Sequence, residues 1–458
     1  MSTQDSDLLY PLDSKPSPVA ASFAAIQHVL ASFVGIITPT LIIGGVLRLG
    51  EHIPYLISMA LIVSGVGTLI QATRPMGIGA GMICIQGTSF AFLSSVLAAG
   101  FIAKGKGGGP EEILSLIFGV CFLGAFVEIF LSQSLHKLKK VITPLVTGIV
   151  ITIIGISLIK VGITDLAGGV RAPDFGSGAN LALGFVVLIS IIALNRSSNP
   201  WLRLSSIVIG LLIGFAIAAF MGKVSFDNVG SQPLISIPLP FQYGFSFDLQ
   251  AFIPIALIYL ITAIESTGDI TANCMISKQP VSGDSYIKRI KGGVLGDGIN
   301  SLIAATFNTF PNTTFSQNNG VIQLTGIASR HVGIFVAGIL VVLGLFPIVG
   351  AVLQQIPKPV LGGATLVMFG TVAAAGIKIL AQEEMTRRTL LIMAVSFGLG
   401  LGMTMVPDVL AEMPKLVQNI FGSAITTGGL SAIILNLILP EDSTEEAVAA
   451  EPTPAEAV

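Results

Sequence analysis

Long apolar segments, each about the length needed to cross a lipid bilayer, follow one another along almost the whole chain. A membrane-spanning helix needs roughly 20 mostly apolar residues. Charged residues make up only 10% of this sequence, whereas soluble domains carry roughly 25%. Because the deficit extends over nearly the full length, it does not come from one buried helix. The sequence therefore predicts an all-α polytopic membrane protein.

The apolar segments predict fourteen transmembrane spans, eleven regular and three irregular. The irregular segments are 78–99, 292–307 and 314–328, which are apolar but contain glycine, serine, threonine or asparagine. The regular spans are expected at 23–47, 54–72, 111–131, 142–161, 181–195, 203–221, 250–270, 332–350, 360–380, 387–405 and 422–439.

Positive charge predicts the orientation. An even number of spans places both termini on one side, and most of the 23 lysine and arginine residues fall on that side, including clusters at 137–140 and 278–291. Cytoplasmic loops carry the excess of positive charge. We therefore expect both termini to be cytoplasmic and the protein to lie in the cell inner membrane. Topology alone explains the two basic clusters.

The two ends of the chain differ from its apolar centre. Residues 1–21 lack the apolar region of a signal peptide, so we expect a cytoplasmic segment followed directly by the first span. The tail 441–458 is acidic and alanine-rich and is predicted to be disordered. The net charge of −2, without a basic stripe, predicts no nucleic-acid partner.

The sequence contains no pattern typical of a metal centre or an enzyme. The three cysteines, Cys84, Cys121 and Cys274, fall in apolar stretches without paired spacing, so we expect them to pack as small apolar side chains. Metal-ligand spacing, a nucleophile elbow and a phosphate loop are all missing from the sequence. We therefore expect no bound metal, no cofactor and no enzymatic activity.

Two irregular segments occupy corresponding places in the two halves of the chain. Segments 78–99 and 308–328 each contain a short stretch that favours an extended backbone (82–85 and 313–315), then hydroxyl or amide residues, then half a helix. Non-helical backbone at membrane depth occurs only where it lines a cavity or is buried in protein. Paired breaks are typical of a transporter built from inverted repeats, here 7+7 spans, with its site near the midplane. Glycine-rich helix packing is the alternative.

Candidate N-caps stand at both breaks. Thr88 and Ser89 precede one half-helix, and Ser316 and Asn318 begin the other. Their unpaired N–H groups and positive dipole ends would face the midplane. Such a site favours a ligand that is rich in carbonyl acceptors or carries partial negative charge.

Four ionisable residues lie inside apolar segments: His28, Glu265, Asp269 and Asp297. A charge at the bilayer centre costs about 2.5–3.5 kcal/mol or more. These residues therefore either form a functional site or satisfy one another. Glu265 and Asp269 are one helical turn apart, on one face. Glu128 stands close to the predicted cytoplasmic end of its span, where we expect it to reach the membrane surface and to be structural.

Five motifs, in order, resemble those of the nucleobase–ascorbate transporter family, in particular its bacterial xanthine and purine permeases. The resemblance covers residues 22–440, and its most specific motif is QNNGVIQLTGIASR. The motifs are IQHVLASF at 26–33, QGTSFAF at 86–92, ESTGD at 265–269, KGGVLGDG at 291–298 and QNNGVIQLTGIASR at 317–330.

The resemblance implies a homodimer whose protomers each have two domains. The core domain would comprise spans 1–4 and 8–11 (about 22–135 and 248–350). The gate domain would comprise spans 5–7 and 12–14 (about 141–222 and 358–440). The core would move relative to the gate like an elevator.

The resemblance also implies roles for individual residues. Gln317 and Asp269 resemble the oxopurine branch of the family rather than its uracil branch. Matching positions imply substrate-binding roles for Glu265, Gln317, Phe90 and Ser89, and supporting or coupling roles for His28, Asp269, Asp297 and Asn318.

We therefore expect a secondary active symporter that imports an oxopurine such as xanthine, with urate, guanine and hypoxanthine as further candidates. Protons are the expected coupling ion, carried by Glu265, Asp297 or Asp269 with His28 in support. Sodium is the rival, because a carboxylate beside a helix break can ligate a hard cation. The alternatives are a sulfate or bicarbonate transporter of related architecture and a sodium-coupled uracil or ascorbate permease.

Overall fold

The protein is built almost entirely from helices, with two very short strands among the described residues. Three predictions fall outside the described residues: the disordered tail 441–458, the start of the N-terminal segment at 1–7 and the basic cluster at 137–140. The computed structural model describes residues 8–134, 143–170, 172–225, 230 and 233–440.

The described residues of the first half of the chain contain eight α-helices and one strand. These are α1 (Pro18–Leu47), α2 (Ile53–Thr73), β1 (Gln86–Thr88), α3 (Leu93–Gly105), α4 (Pro110–Ser134), α5 (Pro144–Leu166), α6 (Gly178–Asn195), α7 (Pro200–Leu204) and α8 (Ser206–Phe220). The second half contains α9 (Leu249–Ile276), α10 (Gly283–Thr306), β2 (Asn312–Thr314), α11 (Ser316–Thr325), α12 (Arg330–Gly344), α13 (Pro347–Gln354), α14 (Lys358–Leu380), α15 (Arg387–Met405), α16 (Lys415–Phe421) and α17 (Ala424–Ile438).

Eight of the described helices are long and apolar enough to cross a membrane, and the number is ten if two bent pairs each count as one span. The helices α12 and α13 meet at 74°, and α16 and α17 meet at 78°. This confirms a polytopic membrane protein. The segment predicted as a regular span at 332–350 is bent, because Pro347 begins a new helix after Phe346, which has an extended backbone. A residue before proline is disfavoured in the helical conformation.

Local sequence fixes where several helices begin. The Ser17 hydroxyl accepts from the N–H of Ala20, and Pro18 opens α1. Asp248 caps α9, because its Oδ1 accepts the N–H groups of Gln250 at 2.8 Å and Ala251 at 3.0 Å. Lys106, just beyond α3, donates to Asp248 at 2.6 Å and holds the pKa of that carboxyl below its usual range. This ion pair joins the end of α3 to the start of α9.

The helices pack in two groups that combine both halves of the chain. In one group α2 packs on α12, and α4 packs on α9 and α10; in the other, α5 packs on α14 and α17. Glycines allow the close approaches. A Cβ at Gly65 in α2 would lie 2.7 Å from the carbonyl oxygen of Ala337 in α12. A Cβ at Gly155 in α5 would lie 2.6 Å from the Cα of Ala373 in α14. Small residues at such contacts are typical of helices in membranes.

The N-terminal segment pairs with the chain between α11 and α12. The N–H of Tyr10 donates to the carbonyl of Gly326 at 3.1 Å, and the N–H of Ala328 donates to the carbonyl of Tyr10 at 2.9 Å. Asp13 and Arg330 form an ion pair of 2.7 Å. The segment is therefore fixed to the end of the motif that begins at Gln317.

Candidate functional site

The two interrupted segments meet as a two-stranded antiparallel sheet. Gln86 lies opposite Thr314, and Thr88 lies opposite Asn312. The pairing continues beyond the strands, since the N–H of Ser89 donates to the carbonyl of Pro311 at 2.9 Å. This confirms that breaks far apart in the sequence lie together in the fold. Each strand leads directly into a short helix, the Phe90–Phe92 turn with α3 in one case and α11 in the other.

The predicted position of the first extended stretch was wrong by four residues, and that of the second by one residue. Strand β1 is Gln86–Thr88 rather than 82–85, and β2 is Asn312–Thr314 rather than 313–315. Pairing between the two segments sets the register, and apolar side chains alone do not reveal it. The carbonyl of Ile83 accepts from the side-chain amides of Asn273 and Asn318 instead of joining the sheet.

The predicted N-caps do not cap. Neither the turn that begins at Phe90 nor α11 has a side-chain cap. In the described part of the chain, the buried hydroxyls of Thr88 and Ser89 have no hydrogen-bond partner. The Ser316 hydroxyl donates to Asp269 at 2.7 Å. The positive ends of both half-helices are therefore uncompensated by side-chain caps, which suits an electron-rich ligand.

Glu265 has unused hydrogen-bonding capacity at the point where these elements meet. It lies on α9, which packs on the Phe90–Phe92 turn and on α11. The residue is 8% exposed, and its Oε2 has no hydrogen-bond partner among the described residues. Its charged neighbours, Asp269 and Asp297, are also acidic. A carboxylate in this state is suited to accept N–H groups from a ligand.

The other predicted substrate-binding residues surround the same break. Ser89 and Phe90 directly follow β1 and are buried, whereas Gln317 lies half-buried in the first turn of α11. The Phe90 ring contacts the Phe369 ring of α14 edge to face, with 5.2 Å between centroids. The break therefore lies against the second group of helices.

Asp297 on α10 is surrounded by hydrogen-bond donors. Its Oδ1 accepts from the side-chain amides of Gln71 and Gln86, each at 2.6 Å. Its Oδ2 accepts from the Ser266 hydroxyl. Such a set of donors suits an ionised carboxylate. The network joins α2, α9 and α10 to both strands.

Asp269 and His28 attach α11 to its neighbours. Asp269 accepts from Ser316 and, at 3.3 Å, from the hydroxyl of Thr314. His28 Nδ1 on α1 lies 2.8 Å from the Asn318 side-chain oxygen. Because that oxygen only accepts, Nδ1 carries the proton in this arrangement. The predicted supporting residues Asp269 and His28 therefore both contact the helix that carries Gln317.

Sequence reasoning missed the neutral members of this network. Gln71, Gln86 and Ser266 are completely buried, although each stands in an apolar segment where a polar side chain needs a partner. Two of them fall in recognised motifs, QGTSFAF and ESTGD. A polar residue inside an apolar segment, within a recognised motif, was the signal in the sequence that could have identified these two residues.

The expectation that Glu128 reaches the membrane surface is wrong. The residue is 1% exposed, and both carboxylate oxygens lack a hydrogen-bond partner among the described residues. The helix α4 continues to Ser134, so Glu128 lies more than one turn before its end, on the face that packs on α9 and α10.

The described residues contain three free cysteines and no group of side chains arranged to hold a metal ion. Cys84, Cys121 and Cys274 are buried free thiols, as predicted. No group of three or more histidine, cysteine, aspartate or glutamate side chains is arranged to hold a metal ion in the described ranges.

Comparison with known proteins agrees with the motifs. The Xan_ur_permease model, described as a permease family, matches residues 19–409. Xanthine permease XanP of Escherichia coli K12 is 47% identical over 445 residues, covering 96% of each chain. XanQ of the same strain is 45% identical over 447 residues, covering 97% of this chain and 96% of the relative. The xanthine permease of Bacillus subtilis 168 is 37% identical over 416 residues, covering 90% and 92%. These relatives are permeases rather than enzymes.

Solved structures share the fold at low sequence identity. The transmembrane domain of the cyanobacterial bicarbonate transporter BicA matches with a TM-score of 0.55 and 15% identity, covering 90% of this chain and 97% of that one. The murine Solute Carrier 26 family member A9 anion transporter matches with a TM-score of 0.61 and 12% identity, covering 93% and 69%. At these identities the likeness concerns architecture alone.

Proposed function

Because the chain belongs to the nucleobase–ascorbate transporter family, we propose that it imports an oxopurine nucleobase such as xanthine across the inner membrane. The observation that carries the proposal is the unpaired carboxylate oxygen of Glu265 beside two uncapped half-helices. The identity to xanthine permeases over nearly the whole chain supports the choice of substrate. Urate, guanine and hypoxanthine are the other candidates.

The available groups match an oxopurine. The Glu265 carboxylate accepts N–H groups along one edge of the ring, and the Gln317 amide offers a donor and an acceptor to a lactam. Phe90 contacts a ring face. Micromolar affinity is about −8 kcal/mol, and a ligand of about eleven heavy atoms stays well below the ceiling of about −1.5 kcal/mol per atom. A few buried hydrogen bonds and one aromatic contact are therefore sufficient.

The proposed architecture has fourteen spans in a 7+7 inverted repeat. Eight long helices and two bent pairs account for ten spans, and α3, α8, α10 and α11 would complete the number. The core domain would contain α1–α4 and α9–α12, and the gate domain α5–α8 and α14–α17; the two packing groups support this division. We further propose a homodimer, cytoplasmic termini and movement of the core against the gate.

Protons are the proposed coupling ion. Desolvation in an apolar span disfavours a charged carboxyl, and protonation lowers the cost of moving that group through the membrane. Glu265, Asp269 and Asp297 are the candidate carriers, with His28 in support. Sodium held by the same carboxylates is the alternative.

Uptake into energised membrane vesicles tests these proposals. Radiolabelled xanthine, guanine, hypoxanthine, urate and uracil are supplied with an imposed pH gradient and no sodium, and then with a sodium gradient alone. We expect xanthine to accumulate in response to the pH gradient. Accumulation that follows sodium would overturn proton coupling, and a preference for uracil would overturn the choice of substrate.

A further inference from the structure

Glu128 is a buried acid without a hydrogen-bonding partner in the part of the chain that the structure describes. Among the described residues, both of its carboxylate oxygens lie out of reach of every donor. No lysine, arginine or histidine forms an ion pair with it in the described ranges. An isolated ionised carboxylate is strongly disfavoured in such surroundings, and the group becomes neutral instead. Glu128 therefore holds a proton in this state of the protein.

The position of Glu128 on α4 is against the segment of α10 that carries Asp297. At Gly298, the residue after Asp297, α10 approaches α4 so closely that a Cβ would lie 3.4 Å from the Cβ of Glu128 and 3.1 Å from the N of Ile129. The charged groups whose fields act on Glu128 are Asp297 of α10 and Glu265 of α9.

The remaining titratable neighbours are already engaged or inert. Tyr259 of α9 lies near Glu128, but its hydroxyl donates to the carbonyl of Cys121 at 3.0 Å. The Cys121 thiol is completely buried on α4 itself. The groups able to exchange a proton with Glu128 are therefore the two acids that belong to the substrate site.

Asp297 and Glu128 are held in complementary ways. Three side-chain donors surround Asp297, and one of them, Gln86, belongs to the strand that precedes the first half-helix. Any rearrangement of that strand when a ligand enters or leaves would remove a donor from Asp297 and increase its demand for a proton. Glu128 is the adjacent group that has one to give.

We propose that Glu128 stores a proton for the transport cycle and exchanges it with Asp297. The O–H bond on Glu128 breaks as an O–H bond forms on the Asp297 carboxylate, directly or through a water molecule, and the pair keeps one negative charge. The reverse transfer restores the starting state. This inference rests on the proposed proton coupling and adds a residue outside the substrate contacts to it.

The test uses the full chain in proteoliposomes and compares Glu128→Gln with the wild type. With one proton per xanthine, a gradient of about one pH unit drives about tenfold accumulation. We expect Glu128→Gln to exchange labelled for unlabelled xanthine normally. Its internal xanthine concentration should only reach about the external one, because the amide cannot release and regain a proton. Ser132→Ala is the matched control, since Ser132 is buried one turn further along α4 and donates only to the Ile129 carbonyl.

The outcomes separate this inference from the proposed function. Normal accumulation by Glu128→Gln would show that a permanently neutral group is sufficient and would overturn the inference, while leaving proton coupling intact. A wild type that ignores the pH gradient would overturn the coupling itself. If Glu128→Gln does not reach the membrane, Glu128→Asp decides: it should accumulate xanthine with a shifted pH profile, and an unchanged profile would contradict proton storage.

Discussion

Glu265 and Asp297 carry the same functional group, and the fold treats them in opposite ways. Asp297 receives three protein donors, whereas one oxygen of Glu265 receives none from the described residues. A buried acceptor without a donor is costly unless something else supplies one. At the residue scale, the unmet hydrogen bond of Glu265 therefore supports its proposed contact with the ligand.

Replacing Glu265 with glutamine should abolish xanthine uptake without lowering the amount of protein in the membrane. The new amide would turn N–H groups toward the N–H groups of the ligand, and each unpaired buried group costs about 1–3 kcal/mol. Labelled uptake and quantitative immunoblotting measure the two effects. Glu111→Gln, at an exposed position at the start of α4, should behave like the wild type. Near-normal transport by Glu265→Gln would remove this residue from the binding site.

Replacing Gln317 with glutamate should weaken xanthine binding and alter the ranking of nucleobases. The amide N–H that contacts a ring carbonyl would be lost, and the added charge would repel that carbonyl. Competition of unlabelled xanthine, guanine and uracil against labelled substrate measures the ranking. Gln323→Glu on the exposed face of the same helix controls for the added charge. An unchanged ranking in Gln317→Glu would show that this side chain does not contact the ligand.

The sequence predicted which ionisable side chains are buried better than it predicted what they touch. His28, Glu265, Asp269 and Asp297 stood out because charge is rare in apolar segments. Their partners are mostly neutral, and an uncharged residue such as Gln86 stands out less in an apolar segment than a charged one does. Glu128 was misjudged because α4 extends further past it than predicted and because the direction of its side chain depends on which helices pack around it.

At the scale of elements, the sheet of β1 and β2 depends on one aromatic side chain. The ring of Phe315 lies between Gly35 of α1 and Gly87 of β1: a Cβ at Gly35 would stand 2.7 Å from it, and one at Gly87 would stand 2.8 Å from its Cε1. Contacts under about 3 Å force a shift in a close-packed interior. Both glycines therefore leave room for the residue that directly precedes α11.

Gly87→Ala should separate the strands and greatly reduce uptake although every ligand-contacting side chain remains. Overpacking a tight contact typically costs about 1–3 kcal/mol. Adding Phe315→Leu to Gly87→Ala replaces the aromatic ring with a smaller side chain and should restore part of the activity. Gly105→Ala, at the end of α3 with no atom within 4 Å of the added Cβ, should leave uptake unchanged. Full activity in Gly87→Ala alone would contradict the requirement for close approach.

The sequence predicted the paired breaks because both lose helical character at the same place in each half. It did not predict strand register, since three-residue strands contain too few side chains for an alternating pattern. The bend between α12 and α13 was also missed, although Pro347 marks its position. Apolar content was continuous across that point, and span prediction by hydropathy responds to content rather than to direction.

At the scale of the whole molecule, the single tryptophan reports on the two packing groups. Trp201 on α7 contacts the Phe23 ring of α1 edge to face, with 6.3 Å between centroids. In the proposed architecture α1 belongs to the core and α7 to the gate. Motion of one against the other would change the environment of this indole.

Adding xanthine should therefore change the intrinsic fluorescence of Trp201 in the purified protein. Phe23→Ala should reduce the change, because the ring that Trp201 contacts is lost. Glu265→Gln should show none, because it does not bind the ligand. A response that is identical in Phe23→Ala would show that the signal arises from something other than the contact between these helices.

The sheet at the centre of the molecule also constrains how the protein is made. Gln86 and Asp297 are hydrogen-bonded although they stand 211 residues apart. Ribosomes add about 5–20 residues per second, so roughly 10–40 s separate the emergence of these two partners. Until then the first half lies in the membrane with polar groups that hydrocarbon cannot satisfy. It must be sheltered by the insertion machinery or by retained water, and a chain interrupted between the halves is a target for membrane proteases.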